Sequence, residues 1–284
     1  MLRQKITAFI RLFRPELPAA AGVCVLIGQI IAAEGFPPIE KMLLGFFAVF
    51  ALSGSALILN DLFDLEVDRV NAPLRPLPAG LVTPREVTLL AAATTLAGLA
   101  AAYALGLPVL LLSIPIALIG FLYNWRFKQS GLPGNLMVST SVASTFLFGA
   151  LSVGALWTGI VWVFSLMAFF LDLGEEIAAD AFDMQGDRLR GSRSIAIRKG
   201  KAFALRLSLL AFAAFIALSY VPVLLGWLGL AYAVVITITN ALVAGFAVQM
   251  LRSLQERDAR RSMRGIYISA SLGMVALLLI LILQ

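Results

Sequence analysis

The sequence predicts an all-α, polytopic membrane protein: nine transmembrane helices around a central cavity that opens to the cytoplasmic side. Three observations predict it. The 284-residue chain is 61% hydrophobic and only 13% charged, whereas a soluble domain carries roughly 25% charged residues. Nearly charge-free stretches of roughly 18 residues, the length that crosses a bilayer, recur along the whole chain. The Lys and Arg residues fall almost entirely into alternate connections between those stretches. No linker or low-complexity block interrupts the pattern, so residues 1–284 read as a single transmembrane domain.

The expected spans are residues 17–33, 42–60, 87–105, 107–124, 135–155, 159–180, 202–221, 229–251 and 265–283. Arg and Lys near the N-terminus, followed by an apolar run, resemble a signal peptide, but the further spans favour an uncleaved first helix. Gly106 and Pro108 split an apolar run too long for one crossing. With the N-terminus cytoplasmic and the C-terminus outside, the basic residues of the N-terminal arm and of four connections all lie inside. They include Arg69, Arg75 and Arg85, then Arg126 and Lys128, then Arg188, Arg190 and Arg193, and finally Arg252 to Arg264. Of the 22 Lys and Arg, only Lys41 lands outside. The net charge of +6 is thus a topology signal, with some attraction to anionic membrane lipid, and gives no argument for nucleic acid. QERDARRSMR (255–264) reads as a solvated loop touching lipid.

The chain has no histidine and one cysteine, Cys24. Imidazole acid–base chemistry, His-ligated zinc and an internal disulfide are therefore excluded. Cys24 sits in an apolar run, where a thiol packs inertly. Any bound metal must take oxygen ligands, which favours a hard cation such as Mg²⁺.

Two polar segments end apolar runs. The first, NDLFDLEVDR (60–69), follows MLLGFFAVFALSGSALIL, which has no charge. At about 100° per residue, Asn60, Asp64 and Asp68 lie within roughly 80° of one another, with Asp61 at the edge and Glu66 pointing away. The second is FFLDLGEEIAADAFDMQGDRLRG (169–191). Here Glu176, Asp180, Asp183 and Asp187 fall within about 60° of arc, and Glu175 lies off that face. One acid at a membrane exit is a solvated helix end. Two like-charged stripes repel at i, i+4, and carboxylates near membrane depth are costly. A shared divalent cation resolves both problems, and the weak repeat, four spans apart, suggests two halves facing one site.

Basic connections supply the complement. NAPLRPLPAG (71–80) is a proline-stiffened loop that presents Asn71 and Arg75. YNWRFKQSGLPGN (123–135) offers Tyr123, Arg126 and Lys128. Carboxylates, divalent metal, basic side chains and an apolar cavity suit an amphiphile with a diphosphate head, such as a prenyl diphosphate donor. A lipophilic acceptor would then capture the allylic cation. The rival class is a proton- or cation-coupled transporter, but its acids belong midway across the membrane rather than at one end.

NDLFDLEVD resembles the NDxxDxxxD motif of the UbiA superfamily of intramembrane prenyltransferases, and DMQGD resembles its second, DxxxD-type motif. The resemblance covers essentially the whole chain. It implies that Asn60, Asp64, Asp68, Asp183 and Asp187, with Glu176, hold Mg²⁺, and that Asp61 and Asp180 act beside the catalytic Asp64 and Asp183. It further implies that Arg75, Tyr123 and Lys128, with Asn71 and Arg126 in the same stretches, contact the diphosphate or the acceptor. Within the superfamily, NAPLRPLPAG and YNWRFKQSGLPGN look most like the digeranylgeranylglyceryl phosphate synthase branch. That branch implies a geranylgeranyl donor and the glycerol hydroxyl of geranylgeranylglyceryl phosphate as acceptor. Prenylation of an aromatic quinone precursor or a chlorophyll-type acid is the alternative. The departures from the branch fall on the acceptor side: Glu175 and Ala179 stand where it tends to be basic, and Leu17 replaces Asn in an RPxN-like element. Arg14 of that element remains a candidate contact for an acceptor phosphate.

Overall fold

A computed structural model describes residues 2–189, 191–253 and 255–283. Arg190, one of the basic residues counted above, lies outside the described residues. All nine stretches read as spans form helices, with several short helices between them. The chain runs α1 (Leu2–Phe13), α2 (Glu16–Ala32), α3 (Ile39–Phe63), α4 (Leu65–Asn71), α5 (Pro84–Ala104), α6 (Leu107–Leu122), a π-helical turn (Tyr123–Phe127), α7 (Leu132–Ser152) and α8 (Gly159–Phe182). It continues through α9 (Met184–Leu189), α10 (Ile195–Lys199), α11 (Lys201–Ser219), α12 (Val221–Leu224), α13 (Leu230–Arg252) and α14 (Glu256–Leu283). Among the described residues, seven helices are long and apolar enough to cross a membrane, or eight if the bent pair α1–α2 counts as one crossing. The protein is an integral membrane protein. Helix α8 carries Asp172, Glu175, Glu176 and Asp180 within its length, which sets it apart from its apolar neighbours.

Local chemistry explains the punctuation. Thr83 caps α5 in a reciprocal box with Glu86, and Pro84 occupies the first turn, where its missing N–H costs nothing. Gly106, at φ 127°, makes the predicted break between α5 and α6 with a backbone conformation that a side chain would strain. The helices close a ring of neighbours: α3 packs on α5, α5 on α6, α6 on α7, α7 on α8, α8 on α11, α11 on α13, α13 on α14, and α14 on α2. Contacts of α2 with α3 and α7 complete it.

At one end α2 and α7 pinch together. A Cβ on Gly28 would lie 2.5 Å from the Phe146 carbonyl oxygen, and one on Gly149 would strike the Val25 carbonyl. Beside them buried Gln29 donates to the Lys41 carbonyl at 2.8 Å and to Ser152 Oγ at 2.9 Å. At the other end the polar segments gather.

The N-terminal arm, read only as basic, is the amphipathic helix α1. Ala8 and Leu12 are buried against Ile58, Leu77, Val82 and Val87, while Ile6 and Ile10 are exposed. It clamps the proline-rich loop: Arg11 donates to the Leu74 carbonyl at 3.0 Å and Lys5 pairs with Glu86. That loop is a run of turns, as the prolines require, pinned by buried Pro76 and Leu77. Residues 256–264 are not a loop. They form the first turns of α14, because Glu256 and Asp258 favour a helix N-terminus and no proline or glycine interrupts the segment before Gly265.

Candidate active site

Both polar segments break their helix at an aspartate. Asp64 (φ −85°, ψ 2°) separates α3 from α4, and Asp183 (φ −97°, ψ 8°) separates α8 from α9. The Asp64 amide donates to the Asn60 carbonyl and the Asp68 amide to the Asp64 carbonyl; the Asp183 amide does the same to Ala179, and the Asp187 amide to Asp183. The two segments thus share one local geometry. The uninterrupted helices assumed from sequence are corrected to helices with a hinge at the middle acid.

The first segment is neutralised from three directions. Asp61 is buried and paired with Arg14, with Arg75 at 3.5 Å. Buried Asp68 takes a 2.5 Å bond from Arg75. Asp64 pairs with Lys128. Arg14 reaches Asp61 from the 51° bend between α1 and α2, where its own backbone is left-handed (φ 47°). Such a conformation costs a non-glycine residue about 1 kcal/mol or more. Glu66 pairs with Arg69 on the exposed side. Asn60 Nδ2 donates to Asn124 Oδ1 at 3.0 Å, and Asn124 in turn donates to the carbonyls of Ala56 and Gly120.

The second segment is held from α7 and α14. Asn135 donates to Asp180 Oδ2 at 3.0 Å, and Ser139 to Asp172 Oδ2 at 2.8 Å. Arg260 of α14 pairs with Asp183. Asp187 lies within electrostatic reach of Asp180.

The π-helical turn joins the two. A π turn adds one residue to a helical turn and often marks a functional site. Here it carries Tyr123, whose side chain is within electrostatic reach of Glu176, Asp180 and Asp172 of the second segment and of Asp64 of the first. Lys128 closes the turn through a 2.8 Å bond from its amide to the Tyr123 carbonyl. The following loop is tied to the second segment by the Arg193 amide on the Gln129 carbonyl at 2.9 Å, and Gly131 (φ 73°) leaves no room there for a side chain.

A cavity of about 670 Å³ runs from these groups toward the α2–α7 pinch. Asn60, Tyr123, Asn124, Asp172, Glu175 and Glu176 line its polar end, and the rest is almost wholly apolar. Among the described residues no three acidic side chains converge closely enough to hold a metal ion as they stand. Basic side chains pair with Asp61, Asp64, Asp68 and Asp183 instead.

Of the residues singled out from sequence, Asn60, Tyr123 and Glu176 line the cavity. Asp61, Asp64, Asp68, Asp180, Asp183, Arg14, Arg75 and Lys128 sit in the ion pairs and hydrogen bonds around the two segments. Asn71 and Arg126 are exposed and do not line the cavity. Glu175, placed off the acidic face by helical arithmetic, does line it, because the cavity wraps more than one side of α8. Asp172, Asn124, Asn135 and Arg260 were not singled out. An acid in the middle of an apolar run was the available signal for Asp172; the others are common residue types whose partners appear only on folding.

Residues 21–279 match the sequence model of the UbiA prenyltransferase family. Digeranylgeranylglyceryl phosphate synthase of Pyrococcus abyssi is 32% identical over 276 residues, covering 97% of each chain. A solved structure of digeranylgeranylglyceryl phosphate synthase in membranes superposes with a TM-score of 0.78 at 28% identity, covering 96% of both chains. A UbiA homologue from Archaeoglobus fulgidus, solved with GPP and Mg²⁺, has the same fold, with a TM-score of 0.73 at 21% identity over 95% of this chain and 97% of its own.

Proposed function

Because this chain belongs to the UbiA prenyltransferase family, we propose that it catalyses Mg²⁺-dependent transfer of a prenyl group, geranylgeranyl by its resemblance, from the diphosphate to the glycerol hydroxyl of geranylgeranylglyceryl phosphate. The observation that carries this reading is that Asn60 of the first segment, Glu176 of the second and Tyr123 line the polar end of one apolar cavity together. A diphosphate head fits the mouth and a hydrocarbon tail fits the walls. The relatives that share nearly the full chain bear the name of that reaction.

The donor set suits Mg²⁺: Asn60, Asp64, Asp68, Glu176, Asp183 and Asp187 offer only oxygen ligands. Bound Mg²⁺ would neutralise charge on the diphosphate and ease its departure. Asp61 and Asp180 act beside them, Asp61 holding Arg14 and Arg75, and Asp180 held by Asn135. Arg75, Lys128 and Tyr123 bind the diphosphate, and Arg14 the acceptor phosphate. Asn71 and Arg126 belong to the outer approach rather than the contact shell. The allylic C–O bond breaks with its electron pair leaving on diphosphate; the acceptor oxygen forms the new C–O bond and passes its proton to the released diphosphate. Phe146, Phe164, Met167 and Leu171 in the cavity wall keep water from the allylic cation.

The whole chain, residues 1–284, acts as one transmembrane domain with nine crossings, the N-terminus and the cavity mouth cytoplasmic and the C-terminus outside. The distribution of 22 basic residues, all but Lys41 on one side, supports that orientation. The test is incubation of purified protein with geranylgeranyl diphosphate and a panel of acceptors, with Mg²⁺ or EDTA, read by mass spectrometry. A prenylated glyceryl phosphate formed only with Mg²⁺ is expected. No prenylated product from any acceptor would reject the reading.

A further inference from the structure

Four acids lie on α8 above its exit, and three have company. Ser139 bonds Asp172, Asn135 bonds Asp180, and Lys128 lies within electrostatic reach of Glu176. Glu175 differs. Its Oε1 is shielded from solvent and has no hydrogen-bond partner, and the charges around its carboxyl are the like charges of Asp172 and Glu176. The backbone fixes its direction. Gly174 is packed against Phe212, where a Cβ would come within 2.7 Å of the ring, and its carbonyl accepts from Ser208 at 2.7 Å. That turns residue 175 away from α11 and into the cavity, whose wall at this point includes Tyr267, Ser271 and Met274 of α14.

A buried carboxyl oxygen with no partner costs about 1–3 kcal/mol, so a group that arrives in the cavity and donates to it recovers that loss. An anionic group cannot, because the like charges of Asp172 and Glu176 already act on this carboxyl. A hydrocarbon cannot, because it has no donor. Rotation about the last side-chain bond exchanges the two oxygens, so what the site lacks is a donor inside the cavity. Resting on the prenyl-transfer reading, we propose that Glu175 selects the acceptor by taking a hydrogen bond from a neutral hydroxyl on a lipophilic acceptor seated between α8 and α14. Glu175 then touches the attacking hydroxyl itself, as a substrate-contacting residue. The acceptor's phosphate stays with the basic side chains around the first segment.

The test compares wild type, Glu175→Gln and Glu175→Leu in lipid nanodiscs with Mg²⁺, geranylgeranyl diphosphate and geranylgeranylglyceryl phosphate. An analogue of that acceptor with hydrogen in place of its free hydroxyl serves as inhibitor. Glu175→Leu should raise the acceptor KM by about 10-fold, the loss of one hydrogen bond to a buried carboxyl, and leave the donor KM in place. Glu175→Gln, which still accepts, should stay within about threefold of wild type. The analogue should inhibit wild type and Glu175→Leu equally. An acceptor KM in Glu175→Leu equal to wild type, or a donor KM rising in step with it, overturns the proposal. Should Glu175→Leu aggregate on size exclusion, wild type decides: an analogue that binds it as tightly as the hydroxyl acceptor overturns the proposal. Wild type that makes no product rejects geranylgeranylglyceryl phosphate as the acceptor, and this proposal with it; active wild type with indifferent variants rejects this proposal alone.

Discussion

Lys128, carried just past the π-helical turn, closes an ion pair onto Asp64 at the hinge between α3 and α4. Sixty-four residues separate them in sequence. Each is partly buried, so the pair is shielded from the screening that makes surface ion pairs weak. The same lysine lies within electrostatic reach of Glu176, so it acts on acids of both segments. Lys128→Ala is expected to raise the KM for the prenyl diphosphate by about 10-fold or more while the protein stays monodisperse. Steady-state diphosphate release measures it.

Asp64→Ala and Asp183→Ala remove the two hinge acids. Each should lower Mg²⁺-dependent turnover by about 100-fold or more and leave the elution profile and helical content unchanged, since both residues end helices rather than pack a core. Turnover at the wild-type rate in either variant would take that residue out of the metal set.

Arg75 ties the proline-rich loop to Asp68 and Asp61. With Arg14 still on Asp61, Arg75→Ala should weaken donor binding more than it weakens the fold. An unchanged KM and kcat would remove Arg75 from the site.

Chelation separates chemistry from stability. Lys128, Arg14, Arg75 and Arg260 already offset the acids, so EDTA in the absence of donor should move the thermal midpoint by less than about 4 °C. Turnover should vanish and return on adding Mg²⁺. A large fall in the midpoint would mean that the metal holds the fold as well.

Gly28 meets the Phe146 carbonyl oxygen, a backbone atom with no freedom to retreat. Gly28→Ala should destabilise by about 1–3 kcal/mol, as overpacking does, and lower the thermal midpoint in detergent by about 2 °C or more.

The helices were legible because charge-free runs leave few alternatives in a bilayer, and Gly106–Pro108 announced its own break. The short ends were not. The hinges at Asp64 and Asp183 depend on tertiary contacts that pull each acid toward a partner, and helical arithmetic alone carries a helix straight through them. The same arithmetic put Glu175 on the wrong side, because it assumes that a site faces one stripe of a helix. Arg260 looked like part of a solvated segment: its partner, Asp183, lies 77 residues away, and nothing local marks it. Asn60, Asp64 and Asp68 were legible because repelling acids next to a greasy helix demand an explanation that their own segment does not contain.

The pinch between α2 and α7 has a consequence for rigidity. At Gly28 and Gly149 one helix backbone presses on the other, with carbonyl oxygens where side chains would otherwise stand. Side chains can swing aside; main chain cannot. The two helices are therefore locked together at that end, and the walls that Cys24 and Phe146 give the cavity are held at a fixed spacing, although neither glycine contributes an atom beyond its backbone.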